Sequence, residues 1–194
     1  MEDGREVFVK ANPRLKAAVF EAEARGLEWL AEAHALRIPN VLLVASEQDP
    51  CPFLVLELLK EGRKQPDFDE ALGRGLAAMH GSTPAGFGLD HDNWIGSLPQ
   101  RNTPTADWAS FYRDHRLAPQ VDRAKSKGLL PGSTLRDFER LYAALPERVG
   151  EPEPAARLHG DLWGGNLHTG PNGEPGLIDP ACYGGHREID LAMM

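Results

Sequence analysis

Three residues of this 194-residue chain have types and spacing that could do chemistry together: Asp161, Asn166 and Asp179. They stand in Leu158-His159-Gly160-Asp161-Leu162-Trp163-Gly164-Gly165-Asn166 and in Leu177-Ile178-Asp179-Pro180. Four residues separate Asp161 from Asn166. A phosphoryl-transfer loop uses that offset to supply a carboxylate that takes the acceptor's hydroxyl proton and an amide that holds magnesium. Asp179 joins them through turn chemistry. Residues 167–169 read as a short strand, Gly170-Pro171-Asn172-Gly173-Glu174-Pro175 as a turn, and residues 176–178 as the returning strand. This hairpin predicts residue 167 opposite 178 and residue 166 opposite 179. Asn166 and Asp179 then stand side by side as two hard oxygen ligands, suited to magnesium that carries nucleotide phosphates. Asp, Asn and Gly are also ordinary turn residues. The offset, the hairpin and the apolar Leu177-Ile178 run before the last carboxylate favour the chemical reading.

Other elements must position this group. Residues 6–10, Glu-Val-Phe-Val-Lys, read as a strand ending in Lys10. A helix opens at Pro13 and carries Leu15, Val19, Phe20, Leu27 and Leu30 near helical spacing. Two glutamates lie in its middle. Glu23 precedes Leu27 by four and Leu30 by seven, on or beside the packed face, whereas Glu21 lies further round. Residues 41–45 and 53–57 read as two antiparallel strands. Residues 69–80 read as a helix, in which His80 is expected to pack at the edge of the core. A Gly/Pro-rich loop over residues 86–100 leads to a helix starting near Asp107, leaving Trp94 and Trp108 open between packing and a substrate-side role. Residues 135–145 read as another amphipathic helix, and Glu151-Pro152-Glu153-Pro154 as a stiff connector.

The runs His159-Gly160-Asp161-Leu162-Trp163, Gly165-Asn166, Ile178-Asp179-Pro180-Ala181 and Tyr183-Gly184-Gly185-His186-Arg187-Glu188, with Asp190-Leu191-Ala192-Met193, resemble the fructosamine kinase (ketosamine 3-kinase) family. That family belongs to the protein-kinase-like fold shared with aminoglycoside phosphotransferases and choline kinases. His-Gly-Asp and Ile-Asp occur across the wider group, whereas Trp163 and the run from Asp179 onward are more particular. Phe8-Val9-Lys10 and Asn93-Trp94-Ile95-Gly96-Ser97-Leu98-Pro99-Gln100 are similar to the same family.

The resemblance implies a bilobal α+β fold. Residues 1–59 would form a small antiparallel-sheet lobe and residues 60–194 a mainly helical lobe, with ATP between them. It implies truncation at both ends: the family has a phosphate-covering hairpin before the Lys10 strand and further helices beyond Met194. Weak ATP binding by this chain is therefore expected. The implied function is ATP-dependent phosphorylation of the sugar 3-hydroxyl of fructosamine- or ribulosamine-type ketoamines. These are glycation adducts of small amines or protein lysines, and the unstable product makes the reaction a deglycation repair. By the resemblance, Asp161 is the base, and Asn166 and Asp179 hold Mg2+. Lys10, paired with Glu23 in preference to Glu21, holds phosphate oxygens. The backbone at Glu57 and Leu59 receives adenine. His159 and Asp190 brace the loop. Trp163, two residues after the base, offers an indole to the sugar's C–H face and to a protonated amine. Two alternatives are another small-molecule phosphotransferase of the same fold and a truncated, non-catalytic nucleotide-binding fragment.

Composition excludes other classes. A net charge of −8 argues against nonspecific nucleic-acid binding. No apolar run is long enough to span a membrane, and residues 1–5 lack a signal-peptide pattern. Cys51 and Cys182 are far apart and in no paired motif, so they read as free thiols of a cytoplasmic protein. Oligomeric state is not legible.

Overall fold

The β-branched and aromatic runs near the N-terminus form a three-stranded antiparallel sheet. The computed structural model describes residue 4, residues 6–150 and residues 152–194, so the first residue of the expected connector, Glu151, lies outside the described residues. Strands β1 (Val7–Ala11), β2 (Val41–Val44) and β3 (Phe53–Glu57) pair in the order β1-β3-β2. Lys10 stands opposite Leu54, which is fully buried together with Leu56 on the same strand. Against this sheet packs helix α1 (Ala17–Ala31), which buries Phe20, Leu27 and Leu30. The helix begins four residues later than Pro13, from Pro13 to Ala17. Asn12 is the reason: its side-chain oxygen accepts from the Arg14 N–H and its carbonyl from the Leu15 N–H, closing a local turn that competes with helix.

The rest of the chain is mainly helical with short hairpins. Helix α2 (Phe68–Gly81) buries Phe68, Leu72, Leu76 and Met79. Strands β4 (Asn93–Ile95) and β5 (Leu98–Gln100) form a tight hairpin whose turn uses Gly96 at φ +55°. Asp107 then caps helix α3 (Trp108–Phe111) by accepting from the Ser110 N–H. A wide π-helical segment (Tyr112–Leu117) follows, leading into helix α4 (Ala118–Ser126). Pro119 has no N–H for the carbonyl of His115, and the Arg116 guanidinium bonds that carbonyl instead, at 3.0 Å. Helix α5 (Gly132–Arg148) is longer at both ends than its apolar stripe suggests and buries only Leu145, so it lies at the periphery.

Four short strands surround the motif residues. β6 (Ala156–Leu158) pairs with β9 (Tyr183–Gly185), and β7 (Leu167–Thr169) with β8 (Pro175–Leu177). The described chain closes with helix α6 (Glu188–Met193). One core runs through the molecule, from Leu27, Leu30 and Leu54 to Met79, Phe111, Leu158, Leu162 and Leu177. Trp108 belongs to it. Its ring stacks on Phe111 at 5.9 Å and on Tyr112 at 5.1 Å, which resolves its open assignment in favour of packing. Both cysteines are free, and no described helix is long and apolar enough to cross a membrane.

Phe111 is fully buried and also stacks on Tyr183 at 5.5 Å. Phe111→Ala is expected to remove about 3–5 kcal/mol of stability, read as a lower urea midpoint.

Candidate active site

Lys10 leaves β1 toward a cavity of about 290 Å3 lined also by Glu23, Asp161, Trp163, Asn166 and Asp179. Its ammonium lies 2.6 Å from Glu23 Oε1 and 2.5 Å from Asp179 Oδ1. Burial by itself depresses the Lys10 pKa. The charge of Glu23 and the hydrogen bonds to Asp179 and Glu23 outweigh it, so the pKa lies above the ordinary lysine value. Burial pushes the Glu23 carboxyl up against the pull of Lys10. Glu21 is exposed on the other side of α1.

The loop after β6 is held by a buried carboxylate. Asp190 has no solvent exposure. Its Oδ2 accepts from the His159 backbone N–H at 2.9 Å, its Oδ1 from the Gly160 N–H at 2.9 Å, and His80 Nε2 lies 3.0 Å from Oδ2. His80 is therefore more than the packing residue expected of it: it is the third partner of the brace. Gly160 adopts φ +79°, and a side chain there would meet the Ala181 carbonyl at 2.2 Å, so the turn requires glycine. His159 is fully buried. Its Nε2 lies 2.9 Å from the Ile178 carbonyl, and Nδ1 accepts from the Asp161 N–H at 3.3 Å. One ring nitrogen donates and the other accepts, which is the hydrogen-bonding pattern of a neutral imidazole. Burial lowers its pKa below the ordinary histidine value.

The β7–β8 register departs from expectation. Leu167 pairs with Leu177, so Asn166 stands opposite Ile178, whose N–H donates to the Asn166 carbonyl at 3.1 Å. A one-residue slip alone would turn Asp179 to the wrong face. Asp179 instead leaves the strand at φ +56°, in the left-handed region that Asp tolerates better than most residues. That kink carries its carboxylate to Lys10 and back into the cavity with Asn166. The Asn166 Nδ2 is spent on the Asp161 carbonyl at 2.8 Å, Asp161 Oδ2 at 3.2 Å and the Asp179 carbonyl at 3.3 Å. Its Oδ1 carries no hydrogen bond from a described residue, and Asn166 and Asp179 line the same cavity. The described residues contain no cluster of three or more His, Cys, Asp or Glu that could hold a metal unaided. A two-oxygen set of this kind fits magnesium that arrives already bound to phosphates.

Trp163 is 54% exposed and reaches the cavity. Its benzo ring lies where a Gly165 side chain would have to go, 2.2 Å from that position. Gly165 therefore makes room for the indole itself. Glu57 and Leu59 line a second, largely apolar cavity of about 220 Å3 with Phe8, Leu56, Leu58 and Ile178. The Glu57 N–H already donates to the Asn40 carbonyl at 2.9 Å, and its carboxylate bonds Arg37 and Asn40. That N–H is therefore taken up within the protein. Leu59 uses neither its N–H nor its carbonyl on any described residue.

Sequence reasoning missed Asn93 and Gln100, which flank the β4–β5 hairpin. Asn93 Nδ2 donates to the Cys182 carbonyl at 2.8 Å, and Gln100 Nε2 donates to Asn93 Oδ1 at 3.2 Å. They tie the hairpin to the segment just after Asp179. Their legible signal is that they bound the run from Asn93 to Gln100 that is similar to the family, and the structure sets the two amides opposite each other across the hairpin.

The structure superposes on a Thermobifida fusca crystal structure, solved as a candidate fructosamine-3-kinase, with TM-score 0.87 and 40% identity, covering 98% of this chain and 65% of that one. An aminoglycoside phosphotransferase solved with ADP and hygromycin B matches with TM-score 0.66 at 16% identity, over 97% of this chain and 64% of that one, and shows the shared fold. The fructosamine kinase family profile matches residues 1–194, and the chain belongs to that family. It is 38% identical to the chloroplastic protein-ribulosamine 3-kinase of Oryza sativa subsp. japonica, over 98% of this chain and 56% of the relative. It is likewise 38% identical to a probable ketoamine kinase of Klebsiella aerogenes, over 98% of this chain and 65% of the relative. The chain thus spans roughly half to two thirds of the length of these curated relatives.

Two outcomes follow from the brace. Asp190→Ala strands two backbone donors and His80 and is expected to cost about 3–5 kcal/mol, measured by urea unfolding. His159 titrates near 6.5 when unfolded and lower when folded, so below pH 6.5 the unfolded chain binds the extra proton. Stability is therefore full above 6.5 and falls as pH drops toward the folded value, by at most about 1.4 kcal/mol per unit from this group. His159→Gln is expected to flatten that slope between pH 7.5 and 5.5.

Proposed function

We propose that this chain carries the nucleotide and acceptor cleft of a kinase that transfers phosphate from ATP to the 3-hydroxyl of ketoamine sugars. One observation carries the reading: Lys10, Glu23 and Asp179 form one ion-pair network, and Asp161 and Asn166 one hydrogen-bonded pair, on the wall of the same cavity. The relatives named ribulosamine 3-kinase and ketoamine kinase support the acceptor class.

Residues 1–59 supply the nucleotide side and residues 60–194 the acceptor side. The apolar slot beside Leu59 receives the adenine ring, and the Leu59 backbone its polar edge. The Lys10 ammonium, held in place by Glu23, binds phosphate oxygens. Asn166 Oδ1 and the Asp179 carboxylate would hold magnesium, which neutralises charge on the phosphates. Asp161 orients the acceptor hydroxyl and takes its proton at a carboxylate oxygen. The hydrogen bond from Asn166 Nδ2 to Asp161 Oδ2, at 3.2 Å, fixes the orientation of that carboxylate. Ketoamines on small molecules and on protein lysines both present this hydroxyl. Two free thiols suit a reducing cytoplasm as the place of action.

The test is ADP release with Mg2+, ATP and a ketoamine, using the natural polypeptide that carries this chain. Asp161→Asn is expected to lower kcat about 10²–10⁴-fold. Asp179→Asn is expected to abolish magnesium-dependent turnover without a lower melting temperature. Undiminished activity in the Asp161 variant, or equal turnover of choline or an aminoglycoside, would contradict the proposal.

A further inference from the structure

The chain has four tryptophans, and the structure divides them into two pairs. Trp108 stacks on Phe111 and Tyr112, and Trp29 lies under the Arg157 guanidinium at 4.4 Å. Trp94 and Trp163 have no aromatic or cationic partner among the described residues, and both line the cavity that holds Asp161. A large aromatic ring that is only partly buried, without a protein partner, beside a reactive carboxylate is placed to meet a ligand.

Trp94 is held there deliberately. It sits on β4 opposite Pro99, next to the Gly96 turn, and β4 packs on α1. Its neighbour Asn93 is bonded to the Cys182 carbonyl, three residues beyond Asp179. The hairpin is thus fixed relative to the segment that delivers Asp179. The charges in the cavity add a second argument. Three carboxylates, Glu23, Asp161 and Asp179, share it with one ammonium, Lys10, which two of them already engage. A cavity with excess negative charge and two unpartnered indoles favours an acceptor that is cationic as well as hydroxylated.

We infer that Trp94 is a specificity-determining residue, acting together with Trp163 on the protonated amine of the acceptor. The inference rests on the ketoamine reading above. A ketose without the amine lacks the group on which the two indoles would act.

Calorimetry on the natural polypeptide with Nα-acetyl-Nε-fructosyl-lysine, and separately with fructose, tests it. The wild type is expected to prefer the ketoamine about ten-fold or more. Trp94→Ala and Trp94→Leu are expected to shrink that preference about three- to ten-fold, and Trp94→Phe to keep most of it, in line with the ring's attraction for a cation. ATP affinity is expected to stay within about two-fold of wild type, because the ring acts on the acceptor. Leu and Phe keep an apolar side chain on the hairpin, so they decide the matter if the Ala variant fails to fold. A wild type with no preference for the ketoamine defeats the ketoamine reading and this inference with it. A wild-type preference that survives in Trp94→Leu, or an equal loss of ATP affinity, overturns the inference alone.

Discussion

The site depends on a buried carboxylate with no solvent around it. Asp190 receives two backbone N–H groups, from His159 and Gly160, and the ring of His80. A polar group inside a protein is tolerated only when its lone pairs are taken up by donors. Here the donors are the backbone of the loop that presents Asp161. The cost of burying that group is offset only while the loop keeps the conformation that presents these donors. His159 extends the same logic to the second segment, because its ring spans the Asp161 N–H and the Ile178 carbonyl. The two parts of the site, separated in sequence, are joined by one neutral imidazole.

The three-stranded sheet is attached to this frame by helix α1. Gly26 lets the helix approach until a side chain there would meet the Cys182 sulfur at 3.3 Å, and the Cys182 thiol bonds the Gly26 carbonyl at 3.4 Å. At the end of the helix, Arg157 on β6 bonds the Trp29 carbonyl and Glu32, the latter at 3.0 Å. The helix that carries Glu23 is therefore fixed to the strand before the loop and to the segment after Asp179. Lys10 can then bridge Glu23 and Asp179. Its attraction to two carboxylates exceeds its own desolvation, which keeps the ammonium charged where phosphate oxygens would need it.

Much of this was legible in the order of residues, because local rules govern it. The Asp161–Asn166 offset, the turn formers between β7 and β8, the apolar runs of the three-stranded sheet and the placement of Glu23 on the packed side of α1 follow from spacing and turn chemistry. The family resemblance added the positions of Asp190 and His159, which no local pattern distinguishes from ordinary polar residues.

The tertiary structure decided what local rules cannot reach. Turn residues predict that a hairpin forms, but not its register. The slip to Leu167–Leu177 and the left-handed Asp179 that offsets it arise because the strand end is pinned by His159 and Lys10 from elsewhere in the chain. His80 and Asn93 gained their partners across 110 and 89 residues of sequence. Burial sorted the tryptophans: Trp108 into the core and Trp94 and Trp163 onto the cavity wall. The sequence by itself marked the groups that the proposal assigns to phosphoryl transfer. Which backbone kinks, buried charges and distant amides bring them together was decided only on folding, because each depends on desolvation by residues far away in the chain.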